Sequence, residues 1–128
     1  MDKQPSRIQA VTPESWQQLV TDESRAKGVV AYFFADWCGP CRDFRKKLDE
    51  FISKYAGPLA FCSYDLEISQ NTRAIAGLDV TSIPALRLFH HGRYTNEVLI
   101  GNAPKEKLVE FLGRCERYVA DVRPVPAN

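Results

Sequence analysis

The chain has 128 residues, 45% of them hydrophobic and including seven Phe and five Tyr, enough to fill one core and to exclude general disorder. Seventeen Lys and Arg stand against sixteen Asp and Glu, a net charge of +1 with no long run of either sign. That balance argues against a nucleic-acid or membrane surface and leaves proteins or small thiols as partners. No stretch approaches the ~18 apolar residues that cross a bilayer. The segment from Met1 to Arg7 is polar without an apolar signal core, so with Met1 as the native start a cytoplasmic protein is expected.

Residues 1–6 read as a flexible N-terminus and Ile8 to Val11 as a short edge strand. Thr12-Pro13-Glu14 supplies an N-cap and a proline at the first helical position, and Trp16, Leu19 and Val20 mark the apolar face of a helix to about Arg25. Val29 to Ala35 is apolar on both alternations, as a central strand buried on both faces requires. From Pro40 to about Tyr55, Phe44, Leu48, Phe51, Ile52 and Tyr55 recur at helical spacing among charged residues, which predicts an amphipathic helix with one buried stripe. Gly57-Pro58 ends it, and Leu59 to Leu66 reads as another strand.

Asn71 to Leu78 predicts a short helix and Ala85 to Phe89 a strand. His90-His91-Gly92-Arg93 then forms a turn into Val98-Leu99-Ile100, making the last two strands a hairpin. Gly101 to Pro104 introduces a final helix carrying Leu108, Phe111, Leu112, Cys115, Tyr118 and Val119, and 122–128 reads as a flexible tail. One α/β domain over residues 7–121 is expected, in the order β-α-β-α-β-α-β-β-α. Its central mixed sheet is parallel at first, closed by an antiparallel hairpin, and covered by helices on both faces.

Trp37-Cys38-Gly39-Pro40-Cys41 lies where the central strand gives way to the amphipathic helix. Cys38 falls at the first turn, where unpaired backbone N–H groups and the positive end of the macrodipole favour a thiolate. Cys41 is one turn deeper on the same face, within reach of a disulfide. Cys38 therefore reads as the nucleophile and Cys41 as the resolving thiol. Pro40 has no N–H to leave unsatisfied early in a helix, and Gly39 leaves the surface beside Cys38 open to another protein's disulfide. The competing reading is half of a zinc site, which needs two further ligands. Trp37 fits either the core or an apolar rim, and its place beside Cys38 favours the rim. Cys62 and Cys115 stand alone in apolar stretches and read as small buried hydrophobes. His90 and His91 are adjacent on an extended segment, where side chains point opposite ways, so they read as a solvated turn rather than a metal site. Arg42 favours a Cys38 thiolate and Asp36 opposes it.

With the motif and the element order together, the chain resembles thioredoxin from about Ile8 to Val119. The resemblance is carried by Phe33, Ala35, Trp37 to Cys41, Ile83-Pro84, Gly92 and Gly101, in that order. It implies the thioredoxin fold, with Pro84 cis and facing the cysteine pair. It also implies that the Ile83 backbone is free to pair with an extended substrate, and that Trp37, Gly39, Pro40, Ile83, Pro84 and Gly101 form an apolar substrate-binding rim around Cys38.

Thioredoxins usually carry a buried aspartate six residues before the first cysteine and a lysine paired with it on the next strand. Here the first position is Tyr32, and counting back from Pro84 puts Asp65 at the second. The expectation is that Asp65 accepts the proton of Cys41, through water or the Tyr32 hydroxyl. Otherwise Asp65 is a solvated strand end and Tyr32 fills the core.

The sequence thus predicts a monomeric thiol–disulfide oxidoreductase that reduces protein disulfides by reversible exchange at Cys38 and Cys41. It has no Gly-rich dinucleotide fingerprint, so no cofactor is expected beyond its redox-active disulfide. By resemblance, an NADPH-dependent thioredoxin reductase recycles it. A dedicated redox carrier, or an oxidase or isomerase serving one partner, is the alternative within redox chemistry. A non-catalytic module that binds through the rim is the alternative outside it.

Overall fold

The structure is a computed structural model, and it describes residues 7–67 and 82–121. The predicted helix Asn71–Leu78 and the flexible ends at 1–6 and 122–128 lie outside those residues. Five strands form one sheet: β1 (Ile8–Val11), β2 (Val29–Phe34), β3 (Ala60–Asp65), β4 (Ala85–His90) and β5 (Arg93–Ile100). Their order is β1-β3-β2-β4-β5. β3 pairs in parallel with both β1 and β2, β4 pairs antiparallel with β2, and β5 antiparallel with β4. The mixed sheet has the topology expected from the sequence, with β2 at its centre and five of its six residues fully buried.

α1 (Gly39–Ser53) and α2 (Lys105–Asp121) lie on one face of this sheet. Phe44, Leu48 and Ile52 of α1 and Leu108, Phe111 and Leu112 of α2 meet Val30, Tyr32, Leu86 and Leu88 there. Each buried side chain of that kind stabilises by about 1.5–3 kcal/mol. An exposed i,i+4 ion pair such as Arg45–Asp49, at 3.0 Å, contributes about 0.3–0.5 kcal/mol. The apolar stripe, not the charged face, therefore fixes where α1 sits.

The other face carries Trp16 and Val20 against Val29, Ala31, Phe33, Tyr64 and Phe89. Their segment is not the regular helix predicted to Arg25. It coils as a π turn, Gln17–Asp22, and a 3-10 turn, Glu23–Arg25. Thr12 and Ser15 cap its start reciprocally, the Thr12 N–H donating to Ser15 Oγ at 2.9 Å and the Ser15 N–H to Thr12 O at 3.1 Å. The altered winding brings Ser24, fully buried, under the β4–β5 turn. Its Oγ accepts the Gly92 N–H at 3.0 Å and its carbonyl the His91 N–H at 2.7 Å. Two tertiary bonds are thereby traded against regular local ones, and the Ser24 Oγ bond to Thr21 O at 2.9 Å is the brace that orients the hydroxyl.

His91 and Gly92 link β4 and β5 with φ of 59° and 82°, and positive φ at both central residues matches the twist of the flanking strands. This turn also corrects the expectation that the two histidines diverge. His91 leaves the extended conformation, and its ring lies 3.8 Å from that of His90. β5 is longer than the predicted Val98–Ile100, because a bulge opposite Leu88 absorbs its polar first half. Thr95 Oγ1 donates to Leu88 O and accepts the Glu97 N–H, each at 3.0 Å.

Candidate active site

β2 ends at Phe34, and the short Ala35-Asp36-Trp37 connection delivers Cys38 to the start of α1. Cys38 is the N-cap, in the extended region at φ −86° and ψ 103°, with Pro40 in the first turn. Its sulfur, rather than a Ser or Asp oxygen, accepts the Cys41 N–H, at 3.1 Å. The sulfur thus sits at the positive end of the helix with a backbone donor aimed at it, which favours the thiolate. Cys38 and Cys41 are joined by a disulfide with their Cα atoms 5.2 Å apart. Among the described residues no group of three or more His, Cys, Asp or Glu is placed to hold a metal. The pair is thus joined as a disulfide, and among the described residues the further ligands that a zinc site needs are not gathered.

Both cysteines are buried. Cys41 is 1% exposed and Cys38 is 4%, with Trp37 standing 70% exposed beside it. Trp37 therefore lies at the surface and not in the core. A Cβ on Gly39 would meet nothing within 4 Å, so the surface next to Cys38 is open. The Ile83–Pro84 peptide bond is cis. Register brings it to the motif, since Ala85 pairs with Phe33 on one side and with Ile100 on the other. Gly101, at φ 93°, donates its N–H to Pro84 O at 2.8 Å. Asn102 donates to Asp43 at 2.7 Å and Lys47 to Ala103 O at 2.9 Å, tying this loop to α1. Trp37, Gly39, Pro40, Ile83, Pro84 and Gly101 are thus carried to one end of the sheet by β2, α1, β4 and β5. The sequence reading missed Ile100, which is 54% exposed at that end. Its signal was an outward-facing isoleucine immediately before Gly101.

Tyr32 lies under this site, 2% exposed, stacked on Phe34 with ring centroids 5.2 Å apart. Its hydroxyl donates to the Cys41 carbonyl at 2.8 Å. Burial pushes its pKa up to about 12, so it keeps its proton. Asp65 lies at the end of β3. The β2–β3 register pairs Tyr32 with Ser63 and puts Asp65 beside Phe34. Side chains alternate along a strand, so Asp65 stands two residues beyond the Tyr32 partner and on the same face of the sheet as Tyr32 and Phe34. The Asp65 carboxylate accepts the Glu67 N–H at 2.9 Å, and the one proton of the Tyr32 hydroxyl goes to Cys41. Cys62 and Cys115 are free, buried thiols, each pushed up to about 12, chiefly by burial.

The Thioredoxin family model matches residues 7–114. The chain is 35% identical over 112 residues to a thioredoxin of Alicyclobacillus acidocaldarius, covering 88% of this chain and 94% of that one. It is 33% identical over 114 residues to the chloroplastic M-type thioredoxin of Pisum sativum, covering 89% of this chain and 62% of the pea protein. With a thioredoxin of Staphylococcus haemolyticus it shares 35% identity over 94 residues, 73% of this chain and 88% of the relative. The cysteine pair at a helix N-terminus, the cis Ile83–Pro84 bond and these matches place the chain in the thioredoxin family.

Proposed function

We propose that this protein is a thiol–disulfide oxidoreductase that reduces protein disulfides, with Cys38 as nucleophile and Cys41 as resolving thiol. The observation that carries the reading is the seating of the Cys38 sulfur as the N-cap of α1, beside an open Gly39 and an exposed Trp37. The reduced Cys38 thiolate attacks a substrate disulfide and forms a mixed disulfide. Cys41 then attacks the Cys38 sulfur, the substrate leaves as a thiol, and the Cys38–Cys41 disulfide remains. Trp37, Ile83, Pro84, Ile100 and Gly101 receive the substrate segment. The redox-active disulfide is the group that turns over, and an NADPH-dependent thioredoxin reductase returns it to the dithiol. A reducing compartment such as the cytoplasm suits this direction, and the unpaired state of Cys62 and Cys115 agrees with it.

The test is reduction of insulin disulfides, followed by NADPH consumption in the presence of a thioredoxin reductase. Turnover with the unaltered protein and its loss in Cys38→Ser is the expected result. Binding of a partner that survives loss of both cysteines, without turnover in the unaltered protein, overturns the reading in favour of a binding module.

A further inference from the structure

Resolution requires Cys41 to release a proton, and Cys41 is 1% exposed. The hydrogen bonds of the two neighbours named from the sequence run elsewhere. Tyr32 keeps its own proton and spends it on the Cys41 carbonyl, and Asp65 lies beside Phe34 with the Glu67 N–H on its carboxylate. A crevice of about 380 Å³ does open beside Cys41, between the end of β2 and the first turns of α1. Its floor is the Tyr32–Phe34 stack, and Asp36, Arg42 and Arg45 line it. A water molecule takes up about 30 Å³ of liquid, so the crevice has room for a chain of them. Arginine cannot accept a proton, which leaves Asp36 as the lining side chain that can. The Arg42 guanidinium donates to the Asp36 carbonyl and pins that residue to the start of α1.

We propose that this crevice is the proton outlet of Cys41, water relaying the proton from the thiol to the Asp36 carboxylate while Tyr32 serves as a positioning residue for the Cys41 peptide. The inference rests on the dithiol reading above. As the proton leaves, the Cys41 electron pair forms the bond to the Cys38 sulfur and the bond from Cys38 to the substrate sulfur breaks. The departing substrate thiolate takes up the proton, and Asp36 is left ionised.

The test is a single turnover of the pre-reduced protein against a peptide disulfide, read from pH 5.5 to 9, for the unaltered protein and for Asp36→Asn and Asp65→Asn. Positioned bases contribute about 10²–10⁴-fold. Acting through water, the loss of Asp36 is expected to slow resolution at least tenfold near pH 6.5 and to be made good near pH 9, where thiols ionise unaided. Alkylation of Cys38 in a Cys41→Ser background gives the companion measurement. There Asp36→Asn removes a negative charge and leaves the first step unchanged or faster, so an electrostatic role and a proton-relay role differ in sign. A pH profile of Asp36→Asn that superimposes on the unaltered protein overturns the proposal, as does a profile moved by Asp65→Asn instead. Absence of any turnover in the unaltered protein overturns the oxidoreductase reading itself.

Discussion

Cys38 uses one sulfur for two purposes, as the group that reacts and as the cap of the helix that activates it. The two can be separated by substitution. Serine keeps an acceptor at the N-cap and is among the preferred residues there, whereas alanine leaves the Cys41 N–H without one, at a cost of about 1 kcal/mol. Cys38→Ser is expected to match the reduced protein in urea midpoint, and Cys38→Ala to fall below it by about that amount, both without reductase activity. The buried thiols provide a second check at this scale. Thiolate is the reactive form, and Cys62 and Cys115 are buried with their pKa pushed up to about 12. Iodoacetamide at pH 8 is therefore expected to label no cysteine in the native oxidised protein and two in urea, counted by mass. The reacting residues were legible because their chemistry is local: five consecutive residues define the thiol pair, its cap and its proline. The surroundings of Cys41 were legible only in part, because the neighbours of Ser63 and Asp65 are set by strand register, which no local spacing encodes.

Among the elements, those with a single dominant signal were read correctly, and those settled by tertiary contacts were not. The all-apolar β2 and the striped α1 and α2 belong to the first kind. The Gln17–Arg25 coil belongs to the second, since its winding brings Ser24 under the hairpin turn, and so does β5, whose polar first half is held by Thr95 in the bulge. The same hairpin has a pH dependence. His90 is 6% exposed, with its Nδ1 buried and without a hydrogen-bond partner among the described residues, the His91 ring at 3.8 Å and the Tyr118 ring at 6.1 Å. Burial, and then the neighbouring His91, lower its pKa below the ordinary value of 6.5. The folded protein therefore holds His90 neutral at a pH where the unfolded chain already binds a proton. Stability is full above the ordinary value and is lost as pH falls through it toward the lowered folded value. The thermal midpoint is expected to drop between pH 7 and 5, and His90→Phe, which keeps the ring, to flatten that slope.

Across the whole molecule, the sheet separates the place where chemistry happens from the place where the layers are joined. β2 runs about 20 Å at roughly 3.3 Å per residue, with the dithiol beyond its C-terminal end and Gly28 just before its N-terminal end. A Cβ on Gly28 would stand 2.6 Å from Val119 Cγ2, 2.8 Å from Leu59 Cδ2 and 3.2 Å from Leu88 Cδ1. Those three atoms come from α2, from the approach to β3 and from β4, so no single side-chain rotation relieves the crowding. Overpacking of this kind costs typically 1–3 kcal/mol. Gly28→Ala is expected to lower the urea midpoint accordingly and Gly28→Val to lower it further. Neither substitution reaches Cys38, Cys41 or the rim, so the fraction that remains folded should reduce disulfides at the unaltered rate. If per-molecule activity instead fell in step with stability, the geometry of the dithiol would depend on packing at the far end of β2, and the separation argued from the register would be wrong.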